Sequence, residues 1–302
     1  MTAEAGRAFL NPSAGSCDEP DAWRERLEAA GFEVRLPGSG EEARQMARAA
    51  ARQGVERVVA AGGDGTVHQV ANGLLEAGGP GEAPELAVLP LGTGDDYARS
   101  LGLPTDPHEV LDRLAGTPAR PVDVIELRPG PTWCLNVAVG GFGGEATDDV
   151  DREEKRHLGS LAYLKSAVEE LSRLPRFETR LVVDGKKRRD TLVNVVLANG
   201  RFTAGGVPVG PKGGIDDGRM RLLLVPAVEL AELAKLASGL VAGDRDDRAA
   251  LLEGVREVEV ASEPEMRFRA DGEPSTGTPL SAAVRPGALS VVRPEGEDRA
   301  DG

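Results

Sequence analysis

The sequence has little cysteine, no long apolar run and no excess of positive charge, and each absence excludes a class of protein. Cys17 and Cys134 lie far apart without metal-like spacing. Neither a disulfide framework nor a zinc site is therefore predicted, and both thiols are expected to be buried packing residues. No stretch reaches the roughly 18 apolar residues of a membrane-spanning helix. Met1 to Leu10 lacks the basic and apolar segments of a signal peptide, so we expect a cytoplasmic protein.

The charge balance argues against nucleic acid as a partner. The 302 residues carry a formal net charge of -14 at pH 7, whereas a protein that binds nucleic acid at physiological salt normally presents a basic face. An apolar content of 40% over this length is sufficient for two hydrophobic cores of ordinary size. The composition therefore predicts two domains.

Strand-like and helix-like segments alternate in the first part of the chain. Short apolar runs are separated by segments with apolar side chains at helical spacing, such as Ala43, Met46, Ala47 and Ala50. Strand, helix, strand, helix with short loops predicts a parallel sheet covered on both faces. The predicted strands are Arg7 to Leu10, Glu33 to Leu36, Arg57 to Ala61 and Leu86 to Pro90.

The pattern changes from Pro121 onward, where most strand-like runs follow one another without a helix. This arrangement predicts antiparallel β structure. Helices are expected near Gly159 to Arg173 and near Glu229 to Leu240, and the tail after Pro294 is polar enough to be disordered. The predicted strands are Val122 to Leu127, Trp133 to Val139, Arg180 to Val183, Leu192 to Ala198, Arg219 to Val225 and Glu257 to Val260.

A glycine-rich loop, Gly62 to Thr66, follows the third predicted strand and opens a helix. Unpaired N–H groups and the positive end of the helix dipole meet an anion at such a position. Glycines let the backbone come close to that anion. Thr66 and Gln69 have the spacing of a capping box, which predicts a well-defined helix start. A lone turn of this kind is usually only a tight connection, so the neighbouring loops decide its meaning.

Two further polar loops, Asn11 to Gly15 and Pro90 to Asp96, end strands at the same edge of the predicted sheet. Ligands bind where the carboxyl ends of parallel strands meet. The three loops together supply the hydroxyl and amide groups of Asn11, Thr66 and Thr93 and the carboxylates of Asp64 and Asp96. These groups suit a magnesium–nucleotide site.

In consistent order from about Arg7 to Val292, the sequence resembles the diacylglycerol kinase catalytic domain family and, within it, the bacterial YegS-type lipid kinases. A consistent series is far more specific than any single motif. The matching segments are Asn11 to Gly15, Gly62 to Thr66, Gly92 to Arg99, Asn136 to Thr147, Gly213 to Met220 and Ala270 to Pro274.

The resemblance implies an α/β Rossmann-like N-terminal domain with a parallel sheet and a β-sandwich C-terminal domain. We expect a nucleotide-binding domain at residues 1–122 and an acceptor domain at 123–284. Residues 285–293 are expected to return to the first domain, and 294–302 to form a flexible tail. The implied activity is ATP-dependent, Mg²⁺-dependent phosphorylation of a membrane lipid of the diacylglycerol or phosphatidylglycerol type.

The resemblance also implies roles for individual residues. Asp64 and Asp96 would organise Mg²⁺ and the phosphates, with Asp123 behind them at the domain junction. Glu273 would be the general base, with Asp271 as its helper or substitute. The implied ATP contacts are Asn11, Gly63, Asp64, Gly65, Thr66, Thr93 and Asp96. The implied structural magnesium ligands are Asp217 and the carbonyls of Gly214 and Arg219.

Four residues depart from the family pattern. His68-Gln69 replaces Asn-Glu, Asp95 stands where Asn is usual, and Pro37 replaces a threonine. The departures at Pro37, His68 and Asp95 leave a non-catalytic nucleotide sensor open as an alternative. A soluble-metabolite kinase related to NAD kinase is a second alternative, because those enzymes share the Gly-Gly-Asp-Gly loop. His68, His108 and His157 are expected to be solvated or capping residues.

Lys186 to Arg189 fit either docking on anionic lipid head groups, which would place the protein at the inner face of the membrane, or a solvated hairpin tip. Monomer and homodimer both remain open.

Overall fold

A computed structural model of the chain describes residues 6–114, 116–130, 132–141, 175–203, 207–208, 214–227 and 250–294. Within these ranges, no helix combines the length and the apolar character that crossing a membrane requires. The helices predicted near Gly159 to Arg173 and Glu229 to Leu240, the tail after Pro294 and His157 lie outside the described residues.

Strands and helices alternate in the N-terminal part, as the sequence pattern predicts. The elements are β1 (Gly6–Leu10), α1 (Pro20–Ala29), β2 (Phe32–Arg35), α2 (Gly40–Arg52), β3 (Arg57–Gly62), α3 (Asp64–Gly78), β4 (Glu85–Pro90), α4 (Asp96–Ser100) and α5 (Pro107–Leu114).

The first four strands form a parallel sheet in the order β4, β3, β1, β2. Successive side chains of a strand point to opposite faces, and both faces are buried. Phe9 packs in the cluster that contains Ala47 of α2 and Leu74 of α3. Leu10 packs in the cluster that contains Leu27 of α1 and residues of α5. The parallel sheet covered on both faces is therefore confirmed.

In the C-terminal part, the regular elements of the described residues are strands. The elements are β5 (Ala119–Arg128), β6 (Thr132–Cys134), β7 (Val137–Gly141), β8 (Phe177–Val183), β9 (Lys186–Ala198), β10 (Phe202–Thr203), β11 (Val207–Pro208), β12 (Met220–Pro226), β13 (Ala250–Val255), β14 (Glu257–Glu263), β15 (Arg267–Ala270), β16 (Glu273–Gly277) and β17 (Leu280–Val292).

One prediction here is wrong: Trp133 to Val139 is not one strand but two, β6 and β7. The break falls at Leu135 and Asn136, whose backbone N–H groups donate to the side chain of Asp271 rather than to a neighbouring strand. The carboxylate of Asp271, a residue distant in sequence, thus takes the place of backbone carbonyls from a neighbouring strand.

Antiparallel pairing connects the C-terminal strands around a second core. The main path runs β16, β15, β7, β9, β8, β14, β17, and β5 and β12 pair with β17 and β9. Phe177, Leu222 and Phe268 pack in this core. The long strand β17 reaches the parallel sheet, where Val291 pairs with Leu86 of β4. Both parts of the chain therefore share one continuous sheet.

Candidate active site

The loops that follow β1, β3 and β4 lie against one another at the carboxyl edge of the parallel sheet. The Asn11 side chain donates to the Thr66 hydroxyl at 3.1 Å, and the Leu91 N–H donates to the Gly62 carbonyl at 3.1 Å. A Cβ atom on Gly92 would lie 2.5 Å from the Cα of Gly63. Any side chain there would push these two loops apart, so glycine is required for their close approach.

The helix after the glycine-rich loop starts earlier than the capping box predicts. Its N-cap is Gly63, no side chain caps it, and Asp64 stands in its first turn. Thr66 is instead buried inside the helix, where its hydroxyl accepts from Asn11, and Gln69 Oε1 has no hydrogen-bond partner within the described residues. The capping-box prediction is therefore wrong, and no side chain caps the start of α3.

Asp64 and Asp96 form an acidic wall of this cleft. The Asp64 carboxylate accepts the backbone N–H groups of Asp96 at 3.1 Å and Tyr97 at 3.0 Å. A Cβ atom on Gly94 would lie 3.3 Å from Asp64 Oδ2 and 3.9 Å from Asp96 Oδ2, so both carboxylates border the same space. Burial raises the pKa of Asp64, the N–H groups of Tyr97 and Asp96 partly oppose it, and the Asp96 and Asp271 charges add to the rise.

This wall suits a magnesium ion that also binds phosphate. Mg²⁺ usually takes one or two protein carboxylates and completes its shell with phosphate oxygens and water. Among the described residues, no group of three or more His, Cys, Asp or Glu side chains is arranged to hold a metal. Asp64 and Asp96 fit the carboxylate part of such a shell, and the nucleotide would supply phosphate oxygens.

The turn between β15 and β16 forms the opposite wall. Asp271 adopts φ 52 and Gly272 adopts φ 88, and the Asp271 carboxylate accepts N–H groups of Leu135, Asn136 and Val137 at 2.8 to 3.1 Å. A Cβ atom on Gly65 would lie 2.9 Å from Glu273 Oε1. The Glu273 carboxylate therefore lies over the first turn of α3.

His68 is the residue whose position differs most from expectation. Its side chain is 3% exposed, and Nδ1 lies 2.9 Å from Asp271 Oδ2. The solvated or capping role predicted for His68 is therefore wrong. His108 lies on the surface and stacks on Trp23 with ring centroids 4.5 Å apart. The spacing of Asp64, His68 and Asn72, four residues apart on one helical face, was the available signal for His68.

Asp271 is held as an ionised carboxylate. Burial alone raises its pKa, but the hydrogen bond and charge of His68 together with the N–H groups of Leu135 and Asn136 lower it below the usual range. Its oxygens are engaged and its side chain is only 5% exposed. Glu273, the next carboxylate along the chain, is half-buried.

The cleft between these walls has a volume of about 330 Å³. Charged and apolar side chains both line it, which gives it a mixed surface. Its lining consists of Asp64, Val67, Asp96, Tyr97, Leu135, Asn136, Val137, Val139, Arg269, Asp271 and Gly272.

Thr93 and Asp123 occupy different surroundings. Thr93 is exposed on the third loop, and a Cβ atom on Gly15 would collide with its hydroxyl. Asp123 lies apart from the acidic wall: its carboxylate accepts the N–H groups of Gly218 at 2.6 Å and Gly287 at 2.9 Å. The structure therefore groups Asp123 with the glycine turn near Asp217, and the predicted position behind Asp64 and Asp96 is not observed.

Asp217, the predicted ligand of a structural magnesium ion, already pairs with a cationic side chain of the protein. Its Oδ2 accepts from Arg221 Nη2 at 3.1 Å and its Oδ1 accepts the Arg219 N–H at 2.9 Å. The Arg221 side chain is buried, and Nη1 donates to the Asn199 carbonyl at 3.2 Å. A divalent ion at this carboxylate would lie beside a buried guanidinium. The side chains therefore fit an ion pair better than a magnesium site built from Gly214, Asp217 and Arg219.

Removal of either member of this ion pair should destabilise the protein. Asp217→Ala and Arg221→Met are each expected to lower the free energy of unfolding by about 2 kcal/mol, because each leaves a charged partner unpaired. The double variant should lose less than the sum. Thermal unfolding without nucleotide, with and without Mg²⁺, measures this. A magnesium-dependent rise in melting temperature that Asp217→Ala alone removes would restore the magnesium assignment.

Two family models cover most of the chain. The diacylglycerol kinase catalytic domain matches residues 6–127, and the YegS C-terminal NAD kinase beta sandwich-like domain matches residues 136–293. The β-sandwich character of the C-terminal part is therefore confirmed.

Curated relatives cover nearly the same span. A probable YegS-like lipid kinase from Xanthomonas euvesicatoria pv. vesicatoria is 34% identical over 269 residues, which is 87% of each chain. Another from Stenotrophomonas maltophilia is 32% identical over 305 residues, which is 98% of each chain.

Solved structures share the fold. A diacylglycerol kinase from Bacillus anthracis aligns with a TM-score of 0.77 at 24% identity and covers 97% of this chain and 98% of that one. An NAD kinase from Archaeoglobus fulgidus in complex with ATP aligns at 0.54 with 16% identity and covers 97% of this chain and 94% of that one.

These matches confirm the predicted resemblance and the predicted kinase activity. The chain belongs to the diacylglycerol kinase catalytic domain family and, within it, to the YegS-like lipid kinases.

Proposed function

We propose that this lipid kinase transfers the γ-phosphate of ATP, with Mg²⁺, to a hydroxyl group of a glycerolipid of the diacylglycerol or phosphatidylglycerol type. The cleft carries the proposal, because Asp64, Asp96 and the turn of Asp271 and Gly272 line the same space, and Glu273, which follows this turn, lies over Gly65. Phosphoryl transfer needs little covalent chemistry from the protein and depends on positioning and charge stabilisation. The residues that line the cleft are suited to both positioning and charge stabilisation.

The glycine-rich loop is suited to the nucleotide phosphates. Gly63 and Gly65 leave the backbone accessible, and the first turn of the 15-residue helix α3 directs its N–H groups and its dipole toward an anion. Asn11 fixes Thr66 behind this turn. Asp64 and Asp96 would hold Mg²⁺, which when bound neutralises charge on the phosphate oxygens.

Glu273 is suited to accept the proton of the acceptor hydroxyl. Its carboxylate lies over Gly65, next to the position proposed for the phosphates, and belongs to the opposite wall. A general base must stand within hydrogen-bond reach of the hydroxyl that attacks. The acceptor would therefore lie between Glu273 and the γ-phosphate.

The apolar part of the cleft favours a lipid acceptor. Leu135, Val137 and Val139 line the cleft, and they would contact the hydrocarbon near the reacting hydroxyl through apolar burial. Lys186, Lys187 and Arg189 are exposed on the β8–β9 hairpin. Attraction of these cations to anionic lipids would hold the protein at the cytoplasmic face of the membrane.

A two-acceptor assay tests the proposed function. Labelled ATP and Mg²⁺ are incubated with a bacterial lipid extract in mixed micelles or with NAD, and products are separated by thin-layer chromatography. Label in an organic-soluble product supports a lipid kinase. Label in the NAD product would favour the soluble-metabolite kinase, and no transfer despite ATP binding would favour the nucleotide sensor.

Asp95 should make nucleotide binding and stability depend on pH. It adopts φ 50 as the N-cap of α4, and its Oδ1 accepts the Gly92 N–H at 3.0 Å. Burial is the main cause that raises its pKa to about 6, the Gly92 bond opposes the rise and the Asp64 charge adds to it. An ionised Asp95 adds negative charge beside the phosphates, so ATP affinity should fall as the pH rises through about 6.

The Asp95→Asn variant tests this effect, because asparagine tolerates the same backbone conformation. The pKa of Asp95 is higher in the folded chain than in the unfolded chain, so its contribution to stability is lost as pH rises from about 4 to about 6. The difference between these two pKa values corresponds to at most about 3 kcal/mol in the free energy of unfolding. Partial exposure of Asp95 to water reduces this effect to about 1–2 kcal/mol.

We therefore expect Asp95→Asn to exceed the parent chain in stability at pH 7.5, with a smaller gain at pH 4.5, and to bind ATP more tightly at pH 7.5. Denaturant unfolding and ATP titration at both pH values measure this. Asp112→Asn, at an exposed position on α5, is the matched control. Equal gains for both variants would contradict a specific effect of Asp95.

A further inference from the structure

Helix α3 contacts the C-terminal part of the chain along one face. Glu273 lies over Gly65 near the start of the helix, and one turn later His68 contacts Asp271. At the next turn, Asn72 exchanges two hydrogen bonds with the backbone of Trp133, each 2.9 Å long. Positions three and four residues apart share a helical face. One face of α3 therefore contacts both the turn between β15 and β16 and the strand β6.

The contact between His68 and Asp271 is a directed hydrogen bond. The other groups at the Asp271 carboxylate are donors: three backbone N–H groups and the Cys134 thiol at 3.4 Å. An ionised carboxylate accepts only, so His68 Nδ1 carries the proton that points at Oδ2. Both side chains are buried, at 3% and 5% exposure, so water does not readily replace either partner.

The bond acts on a strained turn. A non-glycine residue with positive φ is uncommon and is maintained by its surroundings, and Asp271 adopts φ 52 directly before Gly272 at φ 88. Glu273 follows these two residues, so the direction of its side chain depends on how Asp271 is held. The three backbone N–H donors connect the turn to β6 and β7, and His68 alone connects it to α3 among the described donors.

We propose that His68 is a positioning residue for phosphoryl transfer: by donating to Asp271 it fixes the turn so that Glu273 stays over the first turn of α3. This inference rests on the proposed function, because it assigns the proton transfer to Glu273. His68 acts through Asp271 and Glu273 and needs no contact with substrate. It couples the nucleotide loop to the base through the shared helix.

Substitutions at position 68 test the hydrogen bond directly. His68→Leu keeps a side chain of comparable size that cannot donate. In His68→Asn, the amide N–H donor lies the same number of bonds from Cβ as Nδ1 does in histidine. A misplaced catalytic group can cost on the order of 100-fold. We expect His68→Leu to lower kcat roughly 10- to 100-fold, with a KM for ATP changed less than about 3-fold, and His68→Asn to recover most of kcat.

A double-mutant cycle with Glu273→Gln distinguishes positioning from general destabilisation. If His68 acts through Glu273, His68→Leu should lower kcat less than about 2-fold in the Glu273→Gln background, because interacting residues are not additive. The proposal would be overturned if the kcat losses of His68→Leu and Glu273→Gln multiplied in the double variant. A folded His68→Asn variant that failed to recover kcat would also overturn it. His108→Leu, at the surface histidine, is the matched control and should leave kcat unchanged.

A second measurement needs no activity. Hydrogen exchange of full-length protein, followed by mass spectrometry, reports on peptides that contain residues 133–138 and 267–276. His68→Leu should speed exchange in both peptides, and His68→Asn should restore it. Unchanged exchange would overturn the proposal even if the kinase is active. Restored exchange in a protein without lipid kinase activity would support the positioning contact and reject the proposed function.

Discussion

Asp64→Asn is expected to lower phosphoryl transfer by a factor on the order of 1000 or more while leaving the fold intact. The side chain borders the cleft together with Asp96 and belongs to the first turn of α3. An amide at this position cannot supply the charge that Mg²⁺ requires. Removal of preorganised charge stabilisation typically costs two to three orders of magnitude in rate, and loss of metal binding adds to this cost.

The fold should tolerate this change because Asp64 contributes little to the apolar core. Its carboxylate accepts two backbone N–H groups, of which the Asn oxygen can retain one, and burial of a charge is relieved. Thermal unfolding and initial rates with lipid extract measure the two effects. Asp21→Asn, at an exposed position in the first turn of α1, is the matched control. Substantial activity of folded Asp64→Asn with any acceptor would reject the nucleotide-loop assignment.

The N-terminal fold follows from local sequence because each element carries its own periodic signal. Strands such as β3 are buried on both faces and appear as continuous apolar runs. Helices such as α2 repeat apolar residues at helical spacing, with Ala43, Ala47 and Ala50 buried. The loops at the carboxyl ends of parallel strands must meet at one edge. The position of the glycine-rich loop at this edge was therefore predictable without a template.

The opposite wall of the cleft depends on contacts that are distant in sequence. Asp271 lies 203 residues from His68 and about 135 residues from the N–H groups at the start of β7. Local propensity carries no information about such a partner, so the sequence predicts one strand where β6 and β7 are two. The same long-range bond explains why His68 is buried and paired rather than solvated.

Charge pairing was the other feature that the sequence pattern did not reveal. Asp123 and Asp217 are acidic residues near glycines, and such residues are compatible with metal binding. The fold instead brings Arg221 to Asp217 and two backbone N–H groups to Asp123. The ion pair itself joins residues only four positions apart. The burial of Arg221 and its hydrogen bond to the Asn199 carbonyl, in contrast, depend on chain segments that are distant in sequence.

Glu273→Gln is expected to lower turnover by a factor on the order of 100 or more while ATP binding is preserved. A lipid hydroxyl is a poor nucleophile while protonated, and a carboxylate in reach accepts its proton as the new bond to phosphorus forms. Gln is nearly isosteric and can occupy the same position over Gly65, but it cannot accept a proton at neutral pH. Single-turnover rates and ATP titration separate chemistry from binding.

Glu259→Gln on the exposed face of β14 is the matched control for this variant. The comparison with Asp271→Asn assigns the base, provided that unfolding shows a folded protein, because that carboxylate accepts several N–H groups. If Glu273→Gln turned over normally and folded Asp271→Asn did not, the two roles would be exchanged. If both variants were active, the proton acceptor would have to be sought at Asp64, which borders the same cleft.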